Sequence, residues 1–495
     1  MSKNTKFLYG ASVQGIQGFI FQTNELKDIV GASLLVEDIC TNCFKDYASD
    51  GQVVVKAAGT IKYIFDDEKS CKKAVREFPR KVMTAAPGIT ISEAVVPFTD
   101  DDDFALVMEQ LEAKLRAQRN KPFPSLTTGL MGIERSRRTG LPAVTMKNGE
   151  PIDEGTRKKQ EARNPSLFEK FFGFKPSVMQ IPLDVETMTD DNSWLAVIHA
   201  DGNGLGEIVP KVGVSKELMA EFSEELGKAT ENAAQEAFKE TMEEELKSKK
   251  GKIEDADKER EEKLPFRPVV LGGDDLTLIC RADLAITFTT KFLAYFEKHT
   301  GVLMEQLKSH GADINLPKLT ACAGIAFIKE SYPFHYGYRL AEMLCDKAKR
   351  DAKRNEEVPA PSCLMFHKVQ SSFVESFDEI ERKELTPSEG HSFVFGPYYI
   401  HEQADRWTVE KLLAQVALLK GKEGNAMKSD IRQWMTLMSE DVEKAHQKKL
   451  RVMSLSSGRL KEMFDIVTSN EYRGAYPAYD MLALHSIHTL VTKKN

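Results

Sequence analysis

Two adjacent carboxylates beside two glycines carry the strongest chemical signal in this sequence. They stand in Val269-Val270-Leu271-Gly272-Gly273-Asp274-Asp275-Leu276-Thr277-Leu278-Ile279. Apolar runs flank a four-residue turn there, which predicts a β-hairpin with both acids at its tip. Ionised carboxylates are costly to bury unless a cation meets them. The glycines leave room for a backbone or a phosphate to approach. An ordinary Gly-Gly-Asp-Asp turn is the alternative reading of the stretch taken alone.

A second acid closes the run Trp194-Leu195-Ala196-Val197-Ile198-His199-Ala200-Asp201, which Gly202-Asn203-Gly204-Leu205-Gly206 follows. If this strand lies beside the hairpin, Asp201, Asp274 and Asp275 converge as three metal ligands. They would hold two Mg2+ or Mn2+ ions about 3.5–4 Å apart for in-line phosphoryl transfer. The glycine-rich turn, with Gly202, Asn203 and Gly204, then offers backbone N–H groups to a polyphosphate, as do Gly272 and Gly273 in the hairpin. His199 shares the strand face of Asp201. It reads equally as a nucleotide contact and as a hydrogen-bonded structural residue.

These residues need elements to position them, and 495 residues are too many for one core. The pattern divides as 1–103, 104–185, 186–370 and 371–495. The first part runs strand (Lys6 to Ser12), helix (about Asn24 to Tyr47), hairpin (Val53 to Lys56 and Thr60 to Phe65), helix (Glu68 to Thr84) and strand (Ile89 to Phe98), a ferredoxin-like order. The same order returns after Trp194: a helix from about Ser215 to Lys247, the acidic hairpin, a helix from about Leu284 to Leu307 and the strand Leu319 to Ile328. A further helix ends in Lys347, Lys349, Arg350, Lys353 and Arg354. The fold class is therefore α+β, two ferredoxin-like modules followed by a C-terminal helical domain. The first module has Ala57-Ala58-Gly59-Thr60 at the hairpin position, with no acid, and reads as a partner or as a second nucleotide pocket. Between the modules, Phe104 to Lys121 is helical, and Pro122 to Met146 with the polar run after it reads as irregular. The charged run Ser248 to Lys263 reads as a solvated loop.

Composition excludes several classes. No apolar run approaches the length of a membrane span, and the first residues pass into a strand rather than a signal core, which predicts a cytoplasmic protein with no membrane partner. Seven scattered cysteines fit a reducing compartment. The pair Cys40 and Cys43 alone is a thin zinc signal. No histidine precedes His199, so the first part holds no histidine-based nuclease site. A net charge of −7 argues against non-specific nucleic-acid binding by the whole surface, while leaving room for a local basic groove. The run Glu134 to Gly140, with Arg135, Arg137 and Arg138, reads as a solvated loop ahead of an RNA contact.

Taken together, Gly15-Ile16-Gln17-Gly18-Phe19-Ile20-Phe21-Gln22-Thr23-Asn24, the hairpin Gly272 to Asp275, and Gly324-Ile325-Ala326 leading into Tyr332-Pro333-Phe334 and Lys347 resemble the large polymerase/cyclase subunit of type III CRISPR effector complexes. The resemblance implies two palms with the active motif in the second. It also implies ATP as substrate, divalent metal, and cyclic oligoadenylate messengers made in antiviral defence when foreign RNA binds. Asp274 and Asp275 match the family's motif acids and Asp201 the acid of the first palm strand, while Lys347 sits where a helical lysine would meet phosphate. Implied partners are CRISPR effector subunits with guide and target RNA, or self-association if the chain stands alone. The histidine–aspartate nuclease domain of many members is absent, so DNA cleavage is not implied. Arginines lead into Thr139-Gly140-Leu141-Pro142 where many members carry zinc-binding cysteines.

Other readings remain: a catalytically silent scaffold that binds RNA and partners, and an enzyme condensing AMP onto another small molecule. If the second palm holds the donor nucleotide, the acceptor needs a pocket of its own. The loop from Ser12 to Gln17 is the first module's equivalent of Asp201 to Gly206. A composite site between the palms is therefore expected, with Ser12 and Gln17 on the acceptor; the alternative is that this loop only anchors Phe19 and Phe21.

Overall fold

The structure is a computed structural model. It describes residues 5–48, 53–57, 59–121, 131–162, 166–177, 180–182, 188–189, 193–250, 263–370, 376–470 and 474–490. The first unit comprises β1 (Lys6–Gln14), α1 (Ile16–Ile20), α2 (Leu26–Asp38), β2 (Val53–Ala57), β3 (Thr60–Phe65), α3 (Glu68–Ala85) and β4 (Thr90–Phe98). Its sheet order is β2-β3-β1-β4. β1 reads as one apolar run because both its faces are covered. Tyr9 stacks on Phe44 at 5.8 Å on one side. On the other, Gly10 admits α4 (Phe104–Arg119) so closely that a Cβ there would stand 2.9 Å from Leu111. Side-chain caps start α3 and α4: Asp67 accepts from the Ser70 N–H at 2.8 Å and Asp103 from the Ala105 N–H at 2.9 Å.

One expectation is refined here and one changes. α2 ends at Asp38, but the helical path runs on as a wider turn over Ile39–Cys43 and helical residues 44–45, close to the expected end at Tyr47. In that turn the Cys40 Sγ accepts the Gly59 N–H at 3.1 Å. Burial pushes the Cys40 thiol up to about 12 and the Cys43 thiol up to about 11, so neither is poised as a thiolate ligand. The connecting segment is also more ordered than its composition suggests. It contains β5 (Ala143–Lys147), β6 (Glu150–Asp153), α5 (Glu154–Glu161) and α6 (Ser166–Phe172). Asn148 and Gly149 join β5 to β6 with φ of 52° and 77°, the two positive values that a two-residue hairpin turn demands.

The insert clamps the loop between β1 and α2. α5 lies so close to α2 that a Cβ on Gly31 would meet the Lys159 carbonyl at 1.8 Å. The buried Lys159 ammonium donates to the Phe19 carbonyl at 2.6 Å and to Gln22 Oε1 at 3.0 Å. Fully buried Asp28 takes Arg138 at 3.3 Å and Gln160 at 3.0 Å. Arg138 also pairs with Glu25 and Glu150, so it belongs to neither a solvated loop nor a free phosphate site; it ties the insert to the first palm.

The second unit repeats the first and extends it. It comprises β7 (Trp194–Asn203), α7 (Leu205–Val212), α8 (Lys216–Lys250), β8 (Phe266–Gly272), β9 (Asp275–Arg281), α9 (Ala285–Ser309), β10 (Thr320–Lys329), α10 (Phe334–Ala352) and β11 (Cys363–Lys368). Then come α11 (Phe377–Glu384), β12 (Tyr398–Tyr399), α12 (Val409–Leu418), α13 (Gly421–Glu440), α14 (Val442–Leu455), α15 (Gly458–Val467) and α16 (Ala478–Leu490). The sheet order β12-β11-β10-β7-β9-β8 contains β8-β9-β7-β10, the order of the first sheet strand for strand. The fold is α+β, two palms plus a helical part. Most of the charged run 248–263 lies outside the described residues. Among the described residues no helix is long and apolar enough to cross a membrane.

β12 comes from the segment expected to be helical. It pairs with β11 through Cys363 opposite Tyr399 and is held by Asp480 of α16, which accepts from the Tyr398 hydroxyl at 2.7 Å. Burial pushes the Asp480 carboxyl up to about 7. Between the ordinary carboxylate range and that value the folded chain keeps a proton that the unfolded chain releases, so stability falls as pH rises through the window. Asp480→Asn removes this linkage. The loss of Tm between about pH 5 and pH 8 should then shrink by a few degrees, read by calorimetry. An unchanged loss would place the pH sensitivity elsewhere.

Candidate active site

Asp201 lies within β7 itself, and its register partner on β10 is Cys322. Asp274 occupies a two-residue turn closed by the Gly272–Asp275 pair, and Gly273 takes φ +64°, as the first turn position of a II′ hairpin requires. The Thr230 hydroxyl of α8 donates to the Gly273 carbonyl at 2.5 Å and fixes the tip from behind. Gly202 completes the approach: a Cβ there would stand 2.7 Å from the Asp274 Cβ. The carboxylate oxygens of Asp201, Asp274 and Asp275 consequently come within 4.8 Å of one another.

Such crowding is electrostatically unfavourable without a cation. Burial, then the charge of Asp201, pushes Asp274 up to about 6. Burial, then Asp274 and Asp201, pushes Asp275 up to about 8. Lys349 of α10 offsets part of this, donating to Asp201 and, at 2.9 Å, to the Gly202 carbonyl. Burial alone would lower the Lys349 pKa, but its bond to Asp201 and that group's charge raise it. α10 reaches the strands because Gly324 of β10 has no side chain; a Cβ there would meet the Ala341 carbonyl at 1.9 Å. Three hard oxygen donors so close together suit Mg2+ or Mn2+.

Other expected site residues fall elsewhere. Lys347 pairs with Glu381 of α11 and lies over the Phe377 ring at 4.8 Å, away from the acids. Residues two apart on a helix point about 200° apart, so Lys347 and Lys349 flank the buried stripe of α10 on opposite sides. Asn203 is buried and donates to Thr320 Oγ1 at 3.2 Å and to Cys322 Sγ at 3.3 Å, tying β7 to β10. Gly204 takes φ +91° to start α7 directly after the strand. Ser12 is buried on the sheet face covered by α4, where its Oγ accepts from Arg119 at 2.9 Å.

Gln17, by contrast, lines a cavity of about 410 Å³ between the palms, together with His199, Gly272, Gly273, Asp275 and Tyr338. The palms meet around it through Phe21 stacked on Tyr338 at 4.7 Å and through the Ser33 hydroxyl donating to the Val269 carbonyl. His199 Nδ1 stands 3.2 Å from Thr277 Oγ1; burial pulls its pKa down and keeps the ring neutral. At the hairpin position of the first palm, a Cβ on Gly59 would stand 2.5 Å from the Ile16 side chain.

Sequence reasoning passed over Lys349 and Thr230. The signal for Lys349 was its place four residues after buried Cys345, at the edge of the apolar stripe. Thr230 carried none, because a threonine inside a long helix pattern reads as packing.

Residues 194–358 match the family model described as Cas10/Cmr2, second palm domain. Among solved structures, the chain is similar to one described as a Csm1-Csm4 cassette in complex with pppApApA. The identity is 17% and the TM-score 0.60, over 99% of this chain and 70% of that one. It is similar also to a Csm1-Csm4 cassette in complex with AMPPNP, at 16% identity and TM-score 0.58 over 98% and 69% of the two chains. A third is Csm1 in T. onnurineus, at 15% and 0.51, again over 98% and 69%. At these identities the likeness is one of fold. No curated protein matches the sequence.

Proposed function

We propose, from a second palm that matches the Cas10/Cmr2 family model, that this chain is a nucleotidyltransferase joining ATP into cyclic oligoadenylate-type or related adenylate messengers, with release of pyrophosphate. The observation that carries this reading is the convergence of Asp201, Asp274 and Asp275 beside a cavity between the palms. A chain that only bridged partners would have no use for three carboxylates held against their own repulsion.

Asp201, Asp274 and Asp275 would hold two Mg2+ or Mn2+ ions, which supply activation of a ribose 3′-hydroxyl and stabilisation of charge on the α-phosphate. The open backbone at Gly273 leaves space for the donor triphosphate, while Gly202 lets Asp274 draw close to Asp201. Lys349, already aimed at Asp201, is the cation placed to meet phosphate charge. The acceptor nucleotide takes the cavity, with Gln17 and neutral His199 among its polar contacts and Tyr338 as an aromatic wall. Holding both reactants in one geometry is worth several orders of magnitude in rate. By analogy with the Csm1-Csm4 structures, effector subunits with guide and target RNA are the partners we propose.

The test is incubation of the purified chain with ATP and Mg2+ or Mn2+, with and without RNA and partner subunits, followed by mass spectrometry of the small molecules. Linked adenylates with pyrophosphate support the reading. AMP condensed onto a different small molecule would redirect it to that class. No conversion under any of these conditions would leave a scaffold subunit.

A further inference from the structure

The end of the second sheet away from the acids gathers positive charge. Trp194, which opens β7, pairs in register with Lys329, the last residue of β10, and Lys368 ends β11 beside them. The ammonium groups of Lys329 and Lys368 stand 4.5 and 4.4 Å from the centre of the Trp194 ring, so one indole carries two cations. Lys368 is fixed further by Ser486 Oγ of α16 at 2.5 Å. From the helical part, α13 adds Lys428 and Arg432, four residues apart and so on one face, with Lys420 at its N-cap. The Lys428 ammonium lies 3.2 Å from Nε2 of His485, the neighbour of Ser486.

Among the described residues no carboxylate pairs with Lys368 or Arg432. Burial, then repulsion from Lys329 and Arg432, pulls Lys368 down to about 8. Lys329, Lys420 and Arg432 are exposed, so the cluster opens to solvent. Cations gathered in this way oppose one another, and an anion relieves the cost. The chemistry narrows which anion. Trp194 is only 9% exposed beneath its two lysines, so the patch lacks the apolar or aromatic centre on which a protein interface is built. The indole is equally closed to base stacking. Lysine-rich charge on an open surface fits a phosphodiester backbone read without regard to sequence.

Resting on the effector-subunit reading above, which makes RNA the nucleic acid at hand, we propose that Lys368, Arg432, Lys420, Lys428 and Lys329 form a surface that binds the phosphate backbone of RNA. Along β7 it lies roughly 23 Å from Asp201, by the rise of a strand, so it is independent of the acid site. The test is fluorescence anisotropy of a labelled single-stranded RNA of ~20 nucleotides with the full chain, at ~50 to ~200 mM salt. Lys420→Glu with Arg432→Glu should weaken binding about 10-fold or more and flatten the salt slope by ~0.7 for each phosphate no longer neutralised. Both side chains are exposed, so the fold should persist, checked by Tm; Lys368→Gln provides a second variant with the same expected direction. Lys444→Glu with Arg451→Glu on α14, both exposed, makes the same change in net charge and should change little. Unchanged affinity, or an equal loss with Lys444→Glu and Arg451→Glu, overturns the proposal. Displacement of RNA by polyglutamate at matched charge would indicate an acidic protein instead, and displacement by ATP at matched phosphate a free nucleotide; either overturns it as well.

Discussion

Replacement of Asp274 and Asp275 together by alanine should bring pyrophosphate release to background, a loss of at least ~10³-fold, with the fold intact. The stability result is the more discriminating half. With Asp201 the two acids form a cluster within 4.8 Å, and among the described residues Lys349 answers it from the protein side. Removing two of three crowded carboxyl groups relieves their burial cost and mutual repulsion, so the Tm without metal should hold or rise. Addition of Mn2+ should raise the Tm of the unmodified chain and not that of the variant, since a ligand stabilises the folded state only where that state binds it. A variant that still released pyrophosphate would end the assignment. A large fall in metal-free Tm would mean the acids serve the fold through bonds other than metal ligation.

The hairpin and the strand leading to Asp201 were legible because their signals are local: an apolar run, a glycine turn and an acid within a few residues. The repeat of the palm was legible for the same reason, since element order survives without any knowledge of packing. What escaped was either non-local or masked by polarity. The β5–β6 hairpin was lost among polar residues although Asn148-Gly149 marks its turn directly. β11 and β12 reveal themselves only when the sheet is assembled, β12 being two tyrosines inside a largely helical segment. Ser12 and Gln17 lie only five residues apart in the sequence, yet the pleat of β1 sends Ser12 to the α4 side, while Gln17 turns with α1 into the cavity between the palms.

Lys349→Ala should lower kcat/KM for ATP by about 10²-fold, whereas Lys347→Ala should change it less than about twofold. The difference follows from the geometry of α10. Its buried stripe runs through Ala341, Cys345 and Ala348, and the two lysines stand on either side of Ala348. Periodicity alone places both at the edge of the core and is silent on which edge meets β7. The contact of Gly324 with Ala341 settles the rotation of the helix, and that turns Lys349 toward Asp201 while Lys347 meets Glu381. Loss of Lys349 has two separable consequences. The acids lose the cation that partly neutralises them, which should strengthen their demand for divalent metal; the triphosphate loses a cation, which should raise the KM for ATP. Titration with Mn2+ followed by Tm reads the first, and steady-state kinetics at saturating metal reads the second. Lys349→Arg keeps the charge but not the compact ammonium, and should recover the metal response more fully than the turnover. If both alanine variants lowered kcat/KM alike, the two lysines would be acting through the stability of α10, and Lys349 would lose its place beside the phosphates.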